Sequence, residues 1–116
     1  MNKDQAVAAL AALAQDNRLD VFRLLVQAGP EGMAAGRVAE AVGLAPNTLT
    51  FHFDRLRDAG LVTVRRESRS MIYAARFETV NGLLSFLIEN CCQGATEACA
   101  PAECKPARGK RDKVSA

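Results

Sequence analysis

Four cysteines lie within fourteen residues near the carboxyl end of this 116-residue sequence, and the remainder has none. They are Cys91, Cys92, Cys99 and Cys104. Because a glycine loosens the six-residue segment after the adjacent pair, three thiolates can meet around one ion. Soft sulfur ligands without a nearby histidine favour a thiophilic ion over Mg²⁺ or Ca²⁺. Trivalent arsenic or antimony suits this set, since its lone pair leaves a pyramid of three ligands.

The same thiols allow other chemistry. Zinc prefers four tetrahedral ligands, and Cys104 could supply the fourth. A disulfide or a thiol redox switch would use a pair of the cysteines. Cys91 or Cys92 would also continue the apolar spacing of the preceding helix as a small interface residue. Since all four cysteines lie outside the body of the chain, they cannot staple a fold together.

Length and composition predict one compact domain with a tail. Apolar residues make up 49% of the chain and charged residues 24%, a balance that excludes global disorder and disfavours a membrane span. Few aromatics and abundant alanine predict a mostly helical core rather than a β-sandwich. The net charge of +2 is unevenly distributed, because residues 45–76 carry six basic and three acidic side chains. A basic segment of this kind indicates a polyanionic partner.

An apolar run over residues 6–14 ends in Ala-Leu-Ala and imitates the core and cleavage site of a secretory signal. The run is rich in alanine rather than leucine, and its Val7, Leu10 and Leu13 have helical spacing. We therefore expect it to be the first helix of a cytoplasmic protein with reduced thiols.

Apolar periodicity and breaker residues predict the elements that position these groups. Asp16 or Asn17 is the expected cap of the second helix, and Gly43 ends the third. Residues 61–66 and 71–76 alternate as two strands, with 67–70 as the loop between them. The predicted stripes are Leu19, Phe22, Leu25 and Val26 in the second helix, Val38, Ala41 and Val42 in the third, Leu49, Phe53 and Leu56 in the fourth, and Val80, Leu83, Leu84, Leu87 and Ile88 in the last.

Two short helices around a glycine turn, followed by a hairpin, match a helix-turn-helix with a wing. At about 100° per residue, the fourth helix points its apolar stripe one way and a set of polar and aromatic side chains the other. An amide, a hydroxyl, a ring and a guanidinium are the groups that read base edges and phosphates in a major groove. The outward set is Asn47, Thr48, Phe51 and Arg55, with Thr50 and His52 on the flanks.

Three arginines of the hairpin, Arg65, Arg66 and Arg69, would contact phosphates as its wing. Taken alone, the fourth helix could be an ordinary amphipathic surface helix and the arginines a solvated charge run. Their occurrence in the required order, with almost no linker, favours a DNA-binding motif. His52 is the sole histidine, so we expect it to be partly buried and hydrogen-bonded rather than a metal ligand.

The stretch VAEAVGLAPNTLTFHFDRLRDAGLVTVRRESRSMIYAA resembles the winged helix of the ArsR/SmtB family of metal-sensing repressors, and the resemblance covers residues 5–92. It implies a mainly α fold with a β-hairpin, in the order α1-α2-α3-α4-β-β-α5. It also implies a homodimer, joined through its first and last helices, on an inverted-repeat operator in double-stranded DNA. The residues implied to bind DNA are Asn47, Thr48, Thr50, Phe51 and Arg55 in the groove and Arg65, Arg66 and Arg69 in the wing.

Two metal sites of that family are missing from this sequence. Residues 34–60 contain no cysteine, and residues 80–90 contain no histidine. The sequence instead resembles the branch whose arsenite site is a Cys-Cys pair at the end of the last helix plus a later cysteine. Cys99 is the favoured third ligand and Cys104 the substitute. A related branch that senses methylated trivalent arsenic through two cysteines remains an alternative.

These features predict a repressor that responds to As(III) or Sb(III), with no enzymatic activity and no organic cofactor. Its expected parts are a winged-helix and dimerisation domain over 1–92, a cysteine-bearing loop over 93–104 and a flexible basic tail over 105–116. The apolar first and last helices favour a dimer on physical grounds, because each needs covering. Competing interpretations are a zinc- or thiol-redox-responsive repressor, and a metalloid-buffering protein that does not bind DNA. A cysteine-dependent enzyme has no support beyond the thiols themselves.

Overall fold

The computed structural model describes residues 1–90, which form five helices and one antiparallel sheet. This confirms the predicted mainly α, winged helix-turn-helix architecture. The four cysteines and the predicted boundaries after residues 92 and 104 lie outside the described residues. The elements are α1 (Lys3–Leu13), α2 (Asp16–Ala28), β1 (Met33–Ala34), α3 (Ala35–Val42), α4 (Pro46–Asp58), β2 (Val62–Glu67), β3 (Ser70–Ala75) and α5 (Phe77–Ile88).

The sheet has the order β1-β3-β2, so the predicted hairpin gains a third strand. Strands β2 and β3 pair from Val62 with Ala75 to Glu67 with Ser70, which shortens the predicted loop of 67–70 to two residues. Strand β1 pairs with the opposite edge of β3 over two residues only. A two-residue strand has no alternation to detect, which is why the sequence pattern missed it. It follows Gly32, where φ is +77° and a Cβ would lie 2.5 Å from a backbone oxygen of β3.

The core forms where α4 meets α2, α3 and the sheet. The predicted stripe of α4, Leu49, Phe53 and Leu56, is fully buried. The Phe53 ring stacks on the Tyr73 ring of β3, with centroids 3.6 Å apart and planes within 6° of parallel. This stack fixes α4 against the hairpin, so the recognition helix and the wing share one core.

The first helix buries a different face from the one that its larger side chains predict. Ala6, Ala9 and Ala12 face the core, whereas Val7 and Leu10 are 57% and 43% exposed. Methyl side chains let the α1 backbone approach the neighbouring helices closely, and the branched residues are then left on the outside. Spacing alone could not distinguish these two faces, because α1 is apolar on both.

In α2 the predicted stripe is only half right. Phe22 and Leu25 are buried, but Leu19 and Val26 are exposed, and Val21 occupies the core instead. The buried face differs from the predicted stripe because α1, α3, α4 and β3 all contact α2. Sequence periodicity does not show the directions from which these neighbours approach. In α3, Val38 is buried and Ala41 is exposed.

The predicted cap of α2, Asp16 or Asn17, is also wrong, because the cap lies one or two residues earlier. Gln15 has extended backbone, and its side-chain oxygen accepts a hydrogen bond from the Arg18 backbone N–H at 2.9 Å. Asp16 therefore lies in the first turn, where its carboxylate faces the positive end of the helix dipole.

The last helix presents apolar side chains on two sides. Leu83 is buried against the core, with Val80 and Phe86 partly buried beside it, while Leu84 and Leu87 are 41% and 55% exposed. The helix ends at Ile88, and Asn90 has a φ of +61°. The interpretation of Cys91 or Cys92 as a continuation of this stripe lies outside the described residues. Within residues 1–90, every helix is too short or too polar to cross a bilayer.

Candidate nucleic-acid interface

The turn between α3 and α4 is closed by backbone geometry. Gly43 adopts φ +71° and ψ +35°, the left-handed conformation that glycine accepts at little cost, and its N–H donates to the Ala39 carbonyl. The Leu44 N–H donates to the same carbonyl. Helix α4 then starts with Pro46 in its first turn, where a missing N–H costs nothing, and it has no side-chain cap.

The outward face of α4 includes the predicted side chains, together with Asp54 and Asp58. Asn47, Thr48, Phe51 and Arg55 are exposed on the side away from the buried stripe, and Thr50 is exposed on its flank. The Thr50 hydroxyl donates to the Pro46 carbonyl at 2.9 Å, so only its oxygen lone pairs face outward. Asn47 and Thr48 lie at the amino-terminal end of α4, the end that enters the groove in helix-turn-helix proteins.

Phe51 is the exposed ring of this face, with 48% of its surface accessible. The Arg55 guanidinium carbon lies 5.0 Å from the ring centroid, and that of Arg18 lies 5.9 Å from it. Both are within cation–π range. Two guanidinium groups therefore flank the Phe51 ring. One of them belongs to Arg18 of α2, which lies 33 residues before Phe51 in the sequence. The sequence analysis missed Arg18, because nothing local links α2 to this face.

His52 is more deeply buried than the sequence predicts, with 5% of its surface accessible. Its Nδ1 accepts a hydrogen bond from Arg18 Nε at 3.2 Å, which confirms the hydrogen-bonded role. Burial, and secondarily the Arg18 charge, lower the pKa of His52 below its usual value of 6.5. Residues 1–90 contain no cluster of three or more His, Cys, Asp or Glu side chains arranged for a metal ion.

The three wing arginines are exposed but differ in their contacts. Arg65 Nε donates to the Glu67 carboxylate at 2.7 Å, and its Nη2 donates to the Glu31 carbonyl at 2.8 Å. Arg66 Nε donates to the Ser68 carbonyl at 3.2 Å, across the turn of the hairpin. Arg65 therefore ties the wing to the segment before β1, a role that its sequence position does not reveal.

Comparison with known proteins places this motif in a family. Residues 13–65 match the family model described as a helix-turn-helix domain. The HTH-type transcriptional regulator YgaV of Escherichia coli (strain K12) is 31% identical over 84 residues, which span 72% of this chain and 83% of YgaV. The expectation that the chain is a regulator rather than an enzyme is thereby confirmed.

Solved structures agree with the sequence match. NolR from Sinorhizobium fredii superposes with a TM-score of 0.60 at 34% identity, covering 74% of this chain and 83% of NolR. Mb0332 from Mycobacterium bovis, a homodimeric winged helix-turn-helix domain described as a possible ArsR-family regulator, has a TM-score of 0.61 at 25% identity. That match covers 86% of this chain and 89% of Mb0332. With its helix-turn-helix, its wing and these relatives, the chain belongs to the helix-turn-helix transcriptional regulators, and it is similar in structure to a possible ArsR-family member.

Proposed function

We propose that this protein is a homodimeric repressor that binds an inverted-repeat operator and releases it when trivalent arsenic or antimony binds its carboxy-terminal cysteines. The observation that carries the DNA-binding part is the division of α4 into a fully buried stripe and an exposed face of Asn47, Thr48, Phe51 and Arg55. A helix held this rigidly by its core can present base-reading groups without first becoming ordered.

The chemistry of the exposed face suits a major groove. An asparagine amide can pair with an adenine edge, a threonine can contact either base type, and an aromatic ring can pack on a thymine methyl. The guanidinium of Arg55 can reach a guanine edge or a phosphate. Arg66 and Arg69 of the wing supply charge for the adjacent backbone.

Exposed apolar side chains on α1 and α5 support the homodimer. Val7 and Leu10 of α1 and Leu84 and Leu87 of α5 are between 41% and 57% exposed, and the two helices contact each other. A monomer would leave this apolar surface in water. A two-fold axis through these helices would place two copies of α4 about 34 to 36 Å apart on one face of the duplex. The homodimeric state of the relative Mb0332 supports the same arrangement.

The proposed inducer site rests on sequence chemistry. Cys91 and Cys92 supply two adjacent thiols, and Cys99, or Cys104 in its place, supplies the third that a pyramidal As(III) or Sb(III) takes. Release of DNA requires only that the metalloid bind the conformation with low DNA affinity more tightly. A coupling free energy of about 1 to 3 kcal/mol would weaken operator binding roughly 5- to 150-fold.

A DNA-shift titration at fixed salt tests both parts of this proposal. The probe is the DNA upstream of the protein's own coding region, with scrambled DNA of equal length as its control. We expect the wild type to bind the probe and to release it on addition of arsenite. The Cys92→Ser variant should bind equally well but should not respond. A normal arsenite response in Cys92→Ser would show that the ligand site is assigned wrongly.

The alternatives give different outcomes in the same assay. Release by Zn²⁺ or by a thiol oxidant, with no response to arsenite, would identify a zinc or redox sensor. Tight arsenite binding without affinity for the upstream DNA would identify a buffering protein, in which Arg55→Ala would change nothing. In the proposed repressor, Arg55→Ala removes a groove contact and should weaken operator binding about 5- to 150-fold, or about 1 to 3 kcal/mol.

A further inference from the structure

Arg18, in the first turn of α2, joins three helices through one side chain. Its Nε donates to His52 Nδ1 of α4 at 3.2 Å, and its Nη1 lies 3.4 Å from the Ala12 carbonyl at the end of α1. The Ala12 carbonyl is among the last of α1, which have no partner within their own helix. Arg18 therefore connects the end of α1 to a buried residue of the recognition helix.

The space around Arg18 is not filled by apolar side chains. An open cleft of about 260 Å³ lies between α1 and the carboxyl half of α4. Its lining is Ala8, Ala11, Ala12, Arg18, Arg55, Asp58 and Ala59. The α1 side of this cleft offers only methyl groups, which cannot interlock deeply with α4. At this end of the two helices, the hydrogen bonds of Arg18 therefore contribute a directional contact that packing does not supply.

The hydrogen bond is adjacent to the proposed DNA-reading surface. His52 follows Phe51 directly, and the Phe51 ring lies 5.9 Å from the Arg18 guanidinium carbon. Since consecutive helical residues differ by about 100° around the axis, fixing His52 inward fixes the rotation that presents Phe51 outward. The Arg18 guanidinium therefore contacts the buried His52 and lies beside the exposed Phe51 of the same helix.

We infer that Arg18 is a positioning residue that holds the recognition helix in its DNA-reading orientation and couples that orientation to α1. The inference rests on the proposed DNA binding and on the proposed role of α1 in the dimer. Operator affinity then depends on the hydrogen bond between Arg18 and His52, and not on a contact from Arg18 to a DNA phosphate.

The hydrogen bond has a chemical requirement that makes it testable by pH. His52 Nδ1 accepts a hydrogen bond from Arg18 Nε, so Nδ1 must carry no proton. A protonated ring would lose this acceptor and add a positive charge beside the guanidinium. The charged group in contact with His52 is Arg18 of α2. The neighbouring cleft is lined by Arg55 and Asp58 of α4, and α1 contributes only alanines to it. Burial keeps the pKa of His52 low, so the bond is intact at neutral pH.

The first experiment measures operator affinity of the full-length protein over a range of salt concentrations. Arg18→Met removes the charge and the donors, whereas Arg18→Lys keeps the charge but loses the planar fork. We expect both variants to bind about tenfold more weakly, equivalent to about 1.4 kcal/mol. The slope of log affinity against log salt should stay at the wild-type value. Circular dichroism and size-exclusion chromatography check that fold and dimer are retained.

A phosphate contact gives the opposite pattern. Arg18→Met would then lower the salt slope by about 1, and Arg18→Lys would largely retain affinity. Either result overturns the positioning role. If the wild type binds no operator DNA, the proposed function fails, and this inference fails with it. If the wild type binds and Arg18→Met binds equally well, the inference alone fails.

The second experiment measures how operator affinity depends on pH. A residue with a purely structural role would not change this dependence. Wild-type operator affinity should decrease once pH falls far enough below 6.5 for His52 to become protonated, because its pKa is lowered from that usual value. His52→Asn retains an acceptor near the Nδ1 position without titrating, so it should stay within a few-fold of wild type at pH 7.5 and respond less to acid. Arg18→Met should also lose the His52-dependent part of the pH response. A pH response identical in all three proteins would contradict the inference.

Discussion

At the scale of single residues, His52 shows how the fold sets a side chain's chemistry. Apart from Tyr73, it is the one buried polar side chain among residues 1–90. Burial removes water from the ring and the Arg18 guanidinium opposes a second positive charge, so both effects favour the neutral form. The ring is thereby kept as a hydrogen-bond acceptor at neutral pH.

The lowered pKa of His52 predicts a pH dependence of stability. The unfolded chain takes up a proton near the usual pKa of 6.5, whereas the folded protein takes it up only at lower pH. His52 should therefore reduce the free energy of unfolding as pH falls through 6.5, until the lowered pKa is passed. Urea unfolding of the wild type and His52→Asn from pH 7.5 to 5 isolates this contribution as a difference between two curves. Parallel curves would show that His52 titrates normally in the folded state.

At the scale of elements, the buried face of a helix cannot be predicted from sequence periodicity when two of its faces are apolar. In α4 the polar face is unmistakable, so Leu49, Phe53 and Leu56 could be assigned to the core from sequence alone. In α1 and α2 several faces are apolar, and the choice depends on which neighbours pack against them. The sheet shows a similar limit, because β1 exists only through its pairing with β3.

The rotated stripe of α2 predicts unequal effects of two chemically identical substitutions. Leu25 is fully buried and Leu19 is 44% exposed. Leu25→Ala should lower the free energy of unfolding by about 2 to 5 kcal/mol because it leaves a cavity. Leu19→Ala should lower it by less than about 1 kcal/mol. Chemical denaturation of both variants at one pH makes the comparison, and equal losses would contradict the observed packing of α2.

The hydrogen bonds of the wing predict that Arg69 and Arg65 contribute to operator binding in different ways. Arg69→Ala, at the hairpin turn, should weaken operator binding and lower the salt slope by about 1, as loss of a phosphate contact does. Arg65→Ala should weaken binding without changing the slope, because Arg65 holds the wing through Glu67 and the Glu31 carbonyl. Fluorescence anisotropy at four or more salt concentrations measures both. A unit drop in slope for Arg65→Ala would assign it to the phosphates instead.

At the scale of the whole molecule, the exposed apolar residues of α1 and α5 give the protomer a surface suited to a second copy. Both helices pack on the same core that supports α4, and α1 contacts α4 as well as α5. A rearrangement of the paired helices can therefore be transmitted to the recognition helix through direct contacts. This connection is what a regulator with its inducer site beyond α5 requires.

A charge placed on this surface should separate the protomers. Leu87→Glu introduces a carboxylate where α5 is 55% exposed, and desolvating it in an interface would be costly. We expect Leu87→Glu to shift the protein to monomers and to lose at least tenfold in operator affinity, or about 1.4 kcal/mol. The matched control is Leu19→Glu on α2, which is similarly exposed and should leave the dimer intact. Sedimentation equilibrium distinguishes the two, and a dimeric Leu87→Glu would contradict the proposed interface.

The sequence by itself determined the order of the five helices and of the hairpin strands β2 and β3, the buried stripe of α4 and its outward set of side chains. These features depend on contacts within one helix or one hairpin, where residue spacing maps directly onto geometry. Tertiary structure alone decided which face of α1 is buried, that Arg65 braces the wing, and that Arg18 reaches His52 from 34 residues away. Such contacts join residues far apart in the chain, so they arise from how helices pack in three dimensions and leave no periodic trace in the sequence.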